Sequence, residues 1–185
     1  GKLDEAESMH REALAMQRKL LAKEHADLAA SLNDLACVLQ DKSRLEEAEA
    51  MYREALEMQR NLLGDENPAA AHSLTNLAGI LHKQHKLAEA EEMHRDALAI
   101  QRRLSGNDQP HVALALNNLA LVLSDRGKIT EAEAMFREAL ALYQKLMGSE
   151  NVHVASSLHN LAGILEKQGQ HAEAETMLRA ALAMQ

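Results

Sequence analysis

His82 and His85 are the first pair to test for chemistry, because histidines three apart on a helix can share a metal ion. A helix-to-turn transition falls between them, and no third ligand follows from the sequence. Ser73 follows His72 directly, but neighbouring helix positions point about 100° apart, so the pair does not make a nucleophile and its base. Cys37, the single cysteine, has no activating neighbour in sequence and is expected to be an inert thiol. His10 and His94 fall where Tyr52, Phe136 and Leu178 fall in other copies of the same motif, so they are expected to pack, leaving one polar edge. No glycine-rich phosphate loop and no paired catalytic carboxylates emerge. The expectation is a non-enzymatic chain without a metal site or cofactor.

The side chains left with a recognition role are amides. Asn33, Asn76, Asn117, Asn118, His159 and Asn160 recur in one block, flanked one or two turns on by Cys37, Gln40, His82, Ser124 and Glu166. A side-chain amide offers both a donor and an acceptor, so such a strip can hold a peptide backbone whatever its sequence. The alternative for the second Asn of each block is a structural link between neighbouring helices.

Two signatures position these residues, and both step by forty-two. The Glu-Ala-Glu block at Glu131 has near-copies at Glu5, Glu47, Glu89 and Glu173, and Ser31 to Ala36 returns at Ser73, Ala115 and Ser157. Such a period marks a helical repeat array. In the first signature (helix B) Glu precedes Arg by four residues, as in Glu7 and Arg11 or Glu133 and Arg137, a favourable helix-surface order. In the second (helix A) a buried stripe reads Leu32, Leu35, Ala36, Leu39 and repeats through Leu158, Leu161, Ala162, Leu165.

The spacing predicts A helices over 26–41, 68–83, 110–125 and 152–167, with B helices starting near Leu45, Leu87, Ile129 and His171. Gly64, Gly106 and Gly148 should close three B helices in left-handed conformation. Asn67-Pro68 and Gln109-Pro110 should open A helices, as should the Asn151 cap. His25-Ala26 lacks both devices, so the first of these junctions is expected to be the least sharply defined. Ser43 and His85 stand where Gly127 and Gly169 stand, in short A-to-B turns. Alanines at 36, 78, 120 and 162 should face those at 48, 90, 132 and 174, allowing close helix approach. The recurring Met9, Met51, Met93, Met135 and Met177 suggest a structural slot between repeats.

Composition sets outer limits. A net charge of −8 argues against non-specific nucleic-acid or anionic-membrane partners. One cysteine excludes an internal disulfide and suits a reducing, cytoplasmic setting, and no apolar run reaches membrane-spanning length.

The Leu-Asn-Asn-Leu-Ala of residues 116–120, the Gly127-Lys128 turn, the Glu-Ala-Glu block and the Arg-Glu-Ala-Leu run together resemble the tetratricopeptide repeat in its forty-two-residue, kinesin-light-chain-like form. The resemblance implies an all-α fold of about nine helices, a right-handed α-solenoid of antiparallel hairpins. The units would be 1–24, 25–66, 67–108, 109–150 and 151–185. It also implies a protein or peptide partner held in a concave groove lined by the A helices. In kinesin light chains the first Asn of the motif faces cargo; that position is Asn33, Thr75, Asn117 and His159 here. The second Asn, which helps other members bind a terminal carboxylate, is Asp34, Asn76, Asn118 and Asn160, and Asp34 would repel one. Kinesin light chains usually carry Arg where this chain has Gln17, Gln59, Gln101, Tyr143 and Gln185, so the resemblance does not extend to acidic cargo. The second expectation is a structural spacer or an end-to-end self-associating module.

Overall fold

The computed structural model describes residues 1–184; Gln185 lies outside them. Among the described residues the secondary structure is nine α-helices: α1 (Lys2–Leu20), α2 (Ala26–Asp41), α3 (Leu45–Leu63), α4 (Pro68–Lys83), α5 (Leu87–Ser105), α6 (Pro110–Asp125), α7 (Ile129–Met147), α8 (Val152–Lys167) and α9 (His171–Leu182). This is an all-α repeat fold. The helices divide between two compact units, Gly1–Ile100 and Gln101–Gln185. In the first, α1 packs on α2, α2 on α3 and α3 on α4; in the second, α6 packs on α7, α7 on α8 and α8 on α9. No helix among the described residues is long and apolar enough to cross a membrane.

Each A-to-B turn closes in the same way. The Arg44 N–H bonds the Leu39 carbonyl at 2.9 Å and the Ser43 N–H bonds the Gln40 carbonyl at 2.9 Å, a pairing repeated at His85, Gly127 and Gly169. This closure puts the central residue at positive φ, 59° for both Ser43 and His85. A side chain there costs about 1 kcal/mol relative to glycine, and the short turn leaves no alternative route.

The B-to-A junctions differ from one another. Gly64 and Gly148 lie at φ 82°, ψ 170° and φ 81°, ψ 171°, so their φ is positive as expected but ψ is extended rather than left-handed helical. Only glycine occupies that region readily. The Asn67 side chain accepts from the Ala70 N–H at 2.8 Å, and Asn151 accepts from the His153 N–H at 2.8 Å. At Gln109 no side-chain cap forms and Pro110 alone opens α6. The first junction corrects an expectation: α1 ends at an extended Leu21, yet α2 is capped, because His25 Nδ1 accepts from the Asp27 N–H at 3.2 Å. An imidazole does here what Asn does elsewhere.

The core follows the stripe of small and large residues. Leu32, Ala36, Ala48 and Ala55 in the first unit, and Leu116, Ala120, Ala132 and Ala139 in the second, have no exposed surface. The B-helix position before the Glu-Arg arginine is buried as Tyr52, His94 and Phe136, while His10 and Leu178 at the same position are half-buried. The methionine slot is looser than expected. Met51, Met93, Met135 and Met177 are half-buried, and Met9 is 71% exposed.

Candidate functional site

Burying the leucine stripe of an A helix turns its opposite side outward. In the first unit that side carries Asp34 and Cys37 on α2, with His72, Asn76 and Gly79 on α4. In the second it carries Leu114, Asn118 and Leu121 on α6, with His159, Asn160 and Gly163 on α8. Leu114 and Leu121, one turn either side of Asn118, remain 49% and 40% exposed. Leu121, Asn160, Gly163 and Lys167 line a shallow cleft of about 200 Å³ between α6 and α8.

The first-position asparagines are committed inside the array. Asn33 Oδ1 accepts from the Ser73 hydroxyl at 3.1 Å, and Asn117 Nδ2 donates to the Ser157 hydroxyl at 3.1 Å. Both serines are fully buried, and Asn117 is 8% exposed with its Oδ1 unpaired. Each bond ties one A helix to the next, the role expected as the alternative for the second position. Where Thr75 replaces Asn, its hydroxyl turns back onto the Ala71 carbonyl at 2.9 Å. The second-position Asn76, Asn118 and Asn160 are half-buried; Asn76 bonds His72 at 3.1 Å.

The flanking residues divide similarly. Cys37 is exposed, and its Sγ lies 3.0 Å from the hydroxyl of buried Tyr52, so the B-helix slot reaches the A face through this contact. Burial, together with the hydrogen bond to Cys37, pushes the Tyr52 hydroxyl up. Ser124 is buried and accepts from Lys167 Nζ at 2.7 Å; Gln40 and His82 are half-buried and Glu166 is exposed. His94 occupies the slot in α5 with its Nδ1 unpaired. Desolvation, aided by repulsion from His82, holds its pKa down at about 4. Among the described residues no group of three or more His, Cys, Asp or Glu side chains gathers in metal-binding geometry.

The Glu-to-Arg pairs do more than decorate single helices. Arg11 pairs with Glu7 at 2.8 Å and reaches Glu47 of the next B helix at 3.1 Å; Arg53 does the same with Glu49 and Glu89, and Arg137 with Glu133 and Glu173. The arginine at the Arg18 position runs a second row, to Glu54 at 2.6 Å, with Arg102 reaching Glu138 at 2.5 Å. Glu7 is also held by Lys42 at 2.6 Å and Arg44 at 2.7 Å. Bonding to Lys42 and Arg11 keeps its carboxyl at about 2. These inter-repeat bonds have a sequence signal that spacing within one helix hides: the partners stand about thirty-six residues apart, six short of the period.

Two further residues matter at the A-helix openings. Tyr143 is buried and stacks on His153, ring centroids 5.1 Å apart and planes 14° from parallel. Gln59 takes the equivalent place in the first unit, 6% exposed, with Oε1 buried and unpaired. The three glutamines of this position, Gln17, Gln59 and Gln101, all share that unpaired oxygen, whereas Gln185 is outside the described residues.

The tetratricopeptide repeat family profile matches residues 1–61, 38–103, 69–145 and 111–185, which together span the chain. The chain belongs to the tetratricopeptide repeat family. Among solved structures this repeat protein is similar to BtubC (BKLC) from P. vanneervenii, with 27% identity and a TM-score of 0.90 over all of this chain and 73% of that one. It is also similar to a kinesin light chain type protein of nearly identical TPR-like repeats from Podosopora anserina, at 27% identity and a TM-score of 0.87, covering all of this chain and 87% of that one. The apo form of RapI shares the fold at 17% identity, with a TM-score of 0.86 over all of this chain and 64% of RapI. A comparison with curated proteins found no match.

Proposed function

We propose that this tetratricopeptide repeat chain is a protein-interaction scaffold whose A-helix faces hold an extended or helical segment of a partner by shape and hydrogen bonding, without catalysis. The observation that carries this reading is the contrast within each A helix. Asn33, Asn117 and Ser124 are bound to neighbouring repeats, whereas Leu114, Asn118, Leu121 and Asn160 lie on the accessible side, beside a cleft, and hold no inter-repeat hydrogen bond. Exposed leucines flanking amides one turn away suit a segment that buries an apolar side chain while its backbone is hydrogen-bonded. In the second unit the residues that bind are therefore Asn118, His159 and Asn160 with Leu114 and Leu121, while Asn117 positions the helices that present them; in the first unit, taken by itself, Asn76 has the exposed role and Asn33 the positioning one. A cytoplasmic setting fits the single, exposed Cys37 thiol.

A displayed random-peptide library panned on the whole chain tests the reading. Peptides selected by the wild type should lose binding to Leu121→Glu and to Asn118→Ala/Asn160→Ala, with helical circular dichroism unchanged. They should bind Arg137→Ala normally. Equal binding to Leu121→Glu and wild type would overturn the assignment of this face.

Self-association is the second reading, favoured by one feature. Val152, Leu178 and Leu182 line a cleft of about 850 Å³ along α8 and α9, with Val152 70% and Leu182 68% exposed. Light scattering decides it: a mass that rises with concentration, and that falls to the monomer in Leu182→Glu, is the expected result for assembly through this surface.

A further inference from the structure

The A helices α2, α4, α6 and α8 open by different means, and one opening depends on a group that titrates near neutrality. Asn67 and Asn151 cap α4 and α8 with amide oxygens, which do not titrate. Asn67 also donates to the Gly64 carbonyl at 2.6 Å, tying the end of α3 to the start of α4. Pro110 opens α6 without a side-chain cap. At α2 the cap is His25, whose Nδ1 accepts from the Asp27 N–H at 3.2 Å. That bond requires a neutral ring with its proton on Nε2, because a protonated imidazole has no acceptor. The His25 carbonyl accepts from Leu28 and Ala29 at 3.1 Å each, so the ring serves the N–H just before theirs. The chain leading into α2 has neither device of the later junctions. Ala22 stands where Gly64, Gly106 and Gly148 stand, Ala26 stands where Pro68 and Pro110 stand, and Leu21 is extended at φ −101°. A tie from α3 reaches this segment, Asn61 Nδ2 to Glu24 Oε1 at 3.0 Å.

Protonation has a second arrangement ready. Asp27 Oδ2 lies 3.6 Å from His25 Nδ1, so a ring that gains a proton there can donate to the carboxylate instead of accepting the Asp27 N–H. His25 is half-buried, and water reaches it. The charges around the junction are divided. Glu24 and, from α3, Glu57 favour a charged ring, as do the last carbonyls of α1, whereas Lys19, Lys23 and the positive end of α2 oppose it. Arg18 and Glu54 offset each other as a pair. Towards α4 the neighbours of Ala26 are the uncharged Leu62, Leu63, Pro68 and Ala69, with His72 the titratable group there. We propose that His25 makes the junction between α1 and α2 an acid-sensitive hinge: the neutral ring caps α2 and fixes residues 23–26, and the protonated ring releases the cap and bonds the Asp27 carboxylate. The response is confined to this junction, because the amide caps of α4 and α8 keep their acceptors in acid. It does not depend on the scaffold reading.

Amide hydrogen exchange and 15N-edited spectra of the full chain, recorded between about pH 8 and 5 where an imidazole changes charge, test the hinge. Exchange rates are corrected for their intrinsic pH dependence. The Asp27 amide resonance should follow the same titration curve as the His25 ring. Protection of the Asp27 and Leu28 amides should fall about threefold or more at the acid end, the size of a lost cap. The Ala70 and His153 amides, held by Asn67 and Asn151, should keep their protection and so separate a local change from a global one. His25→Asn, which supplies an amide cap, should keep Asp27 protected throughout the range, and His25→Ala should leave it poorly protected throughout, both with circular dichroism unchanged. Protection of Asp27 that does not change with pH in the wild type, a fall shared equally by Ala70 and His153, or the same fall in His25→Asn would each overturn the hinge.

Discussion

The row of B helices and the exposed sides of the A helices come from the same forty-two-residue unit, but repetition treats them differently. Along the B helices the contacts return with their partners intact: Arg11 to Glu47, Arg53 to Glu89, Arg137 to Glu173. Along the A helices the residue at one position is Cys37, then Gly79, Leu121 and Gly163. The recurring Arg-to-Glu pairs hold one B helix to the next, whereas the position that runs Cys37, Gly79, Leu121 and Gly163 lies on the outward side of the A helices. Neither glycine is explained by packing, since a Cβ at Gly79 or Gly163 would meet nothing within 4 Å. The difference teaches that the Glu-Arg motif is structural however much it draws the eye, while on the A helices recurrence alone does not sort the residues: Asn76, Asn118 and Asn160 recur, yet the inter-repeat bonds come from Asn33 and Asn117.

The hardest way to break this contrast is to attack the crossing that both regions need. Ala120 has no exposed surface, and Ala120→Phe would insert a ring where no rearrangement of one side chain can accommodate it. Loss of 3 kcal/mol or more, at least about the upper range for overpacking, is expected, seen as a large fall in the urea midpoint. A stable Ala120→Phe variant would mean that the small-residue crossing is not what sets the helix spacing.

His94 sharpens the contrast from within the B helices, because it is the polar occupant of a slot that holds Tyr52 and Phe136 elsewhere. Its folded pKa of about 4 lies below the ordinary histidine value of 6.5, so the fold favours the neutral ring. That contribution is complete above pH 6.5 and is lost as the pH falls through 4, a change on the order of 3 kcal/mol across the window. His94→Phe should remove the pH dependence of the melting temperature between 6.5 and 4.5. Glu7 gives a separate, lower window. Its carboxyl is held at about 2 against an ordinary 4.5, so the stability it supplies is present above 4.5 and disappears as the pH falls towards 2. An acid melt that keeps its slope above pH 4.5 in His94→Phe would show that another group titrates there.

Adjacent asparagines on one helix give a smaller but cleaner test. Asn117→Ala would leave the Ser157 hydroxyl, which has no exposed surface, without its partner, and should cost about 1–2 kcal/mol. Asn118→Ala removes a half-buried side chain with no inter-repeat bond and should leave the chemical-denaturation midpoint unchanged while weakening peptide capture. Reversal of the two outcomes would exchange the roles of the first and second positions.

That exchange of roles is where the sequence was hardest to read. Helix limits, the leucine stripe and the alanine crossings were legible because each depends on residues a few positions apart within one repeat. The link from Asn33 to Ser73 depends on residues forty apart, and its only trace in one chain is a coincidence. Asn at 33 and 117 is followed by Ser at 73 and 157, whereas Thr75 is followed by Ala115. The His25 cap was missed because an imidazole nitrogen is a less usual helix cap than an Asn oxygen.

The B-helix ion pairs should give the smallest effect. Arg137 and Glu173 are 44% and 40% exposed, so water and salt screen their attraction and the pair contributes only about a few tenths of a kcal/mol. Their recurrence then reflects register rather than strength. Each Arg meets a Glu of its own helix and one of the next, and sliding a helix by one turn would set like charges side by side. Arg137→Glu should accordingly destabilise more than Arg137→Ala, and the gap between the two should shrink in 1 M salt, where fields fade within about 3 Å. Equal stabilities for the two variants at low salt would show that the charges do not set register, leaving the buried Leu and Ala stripe to set it alone.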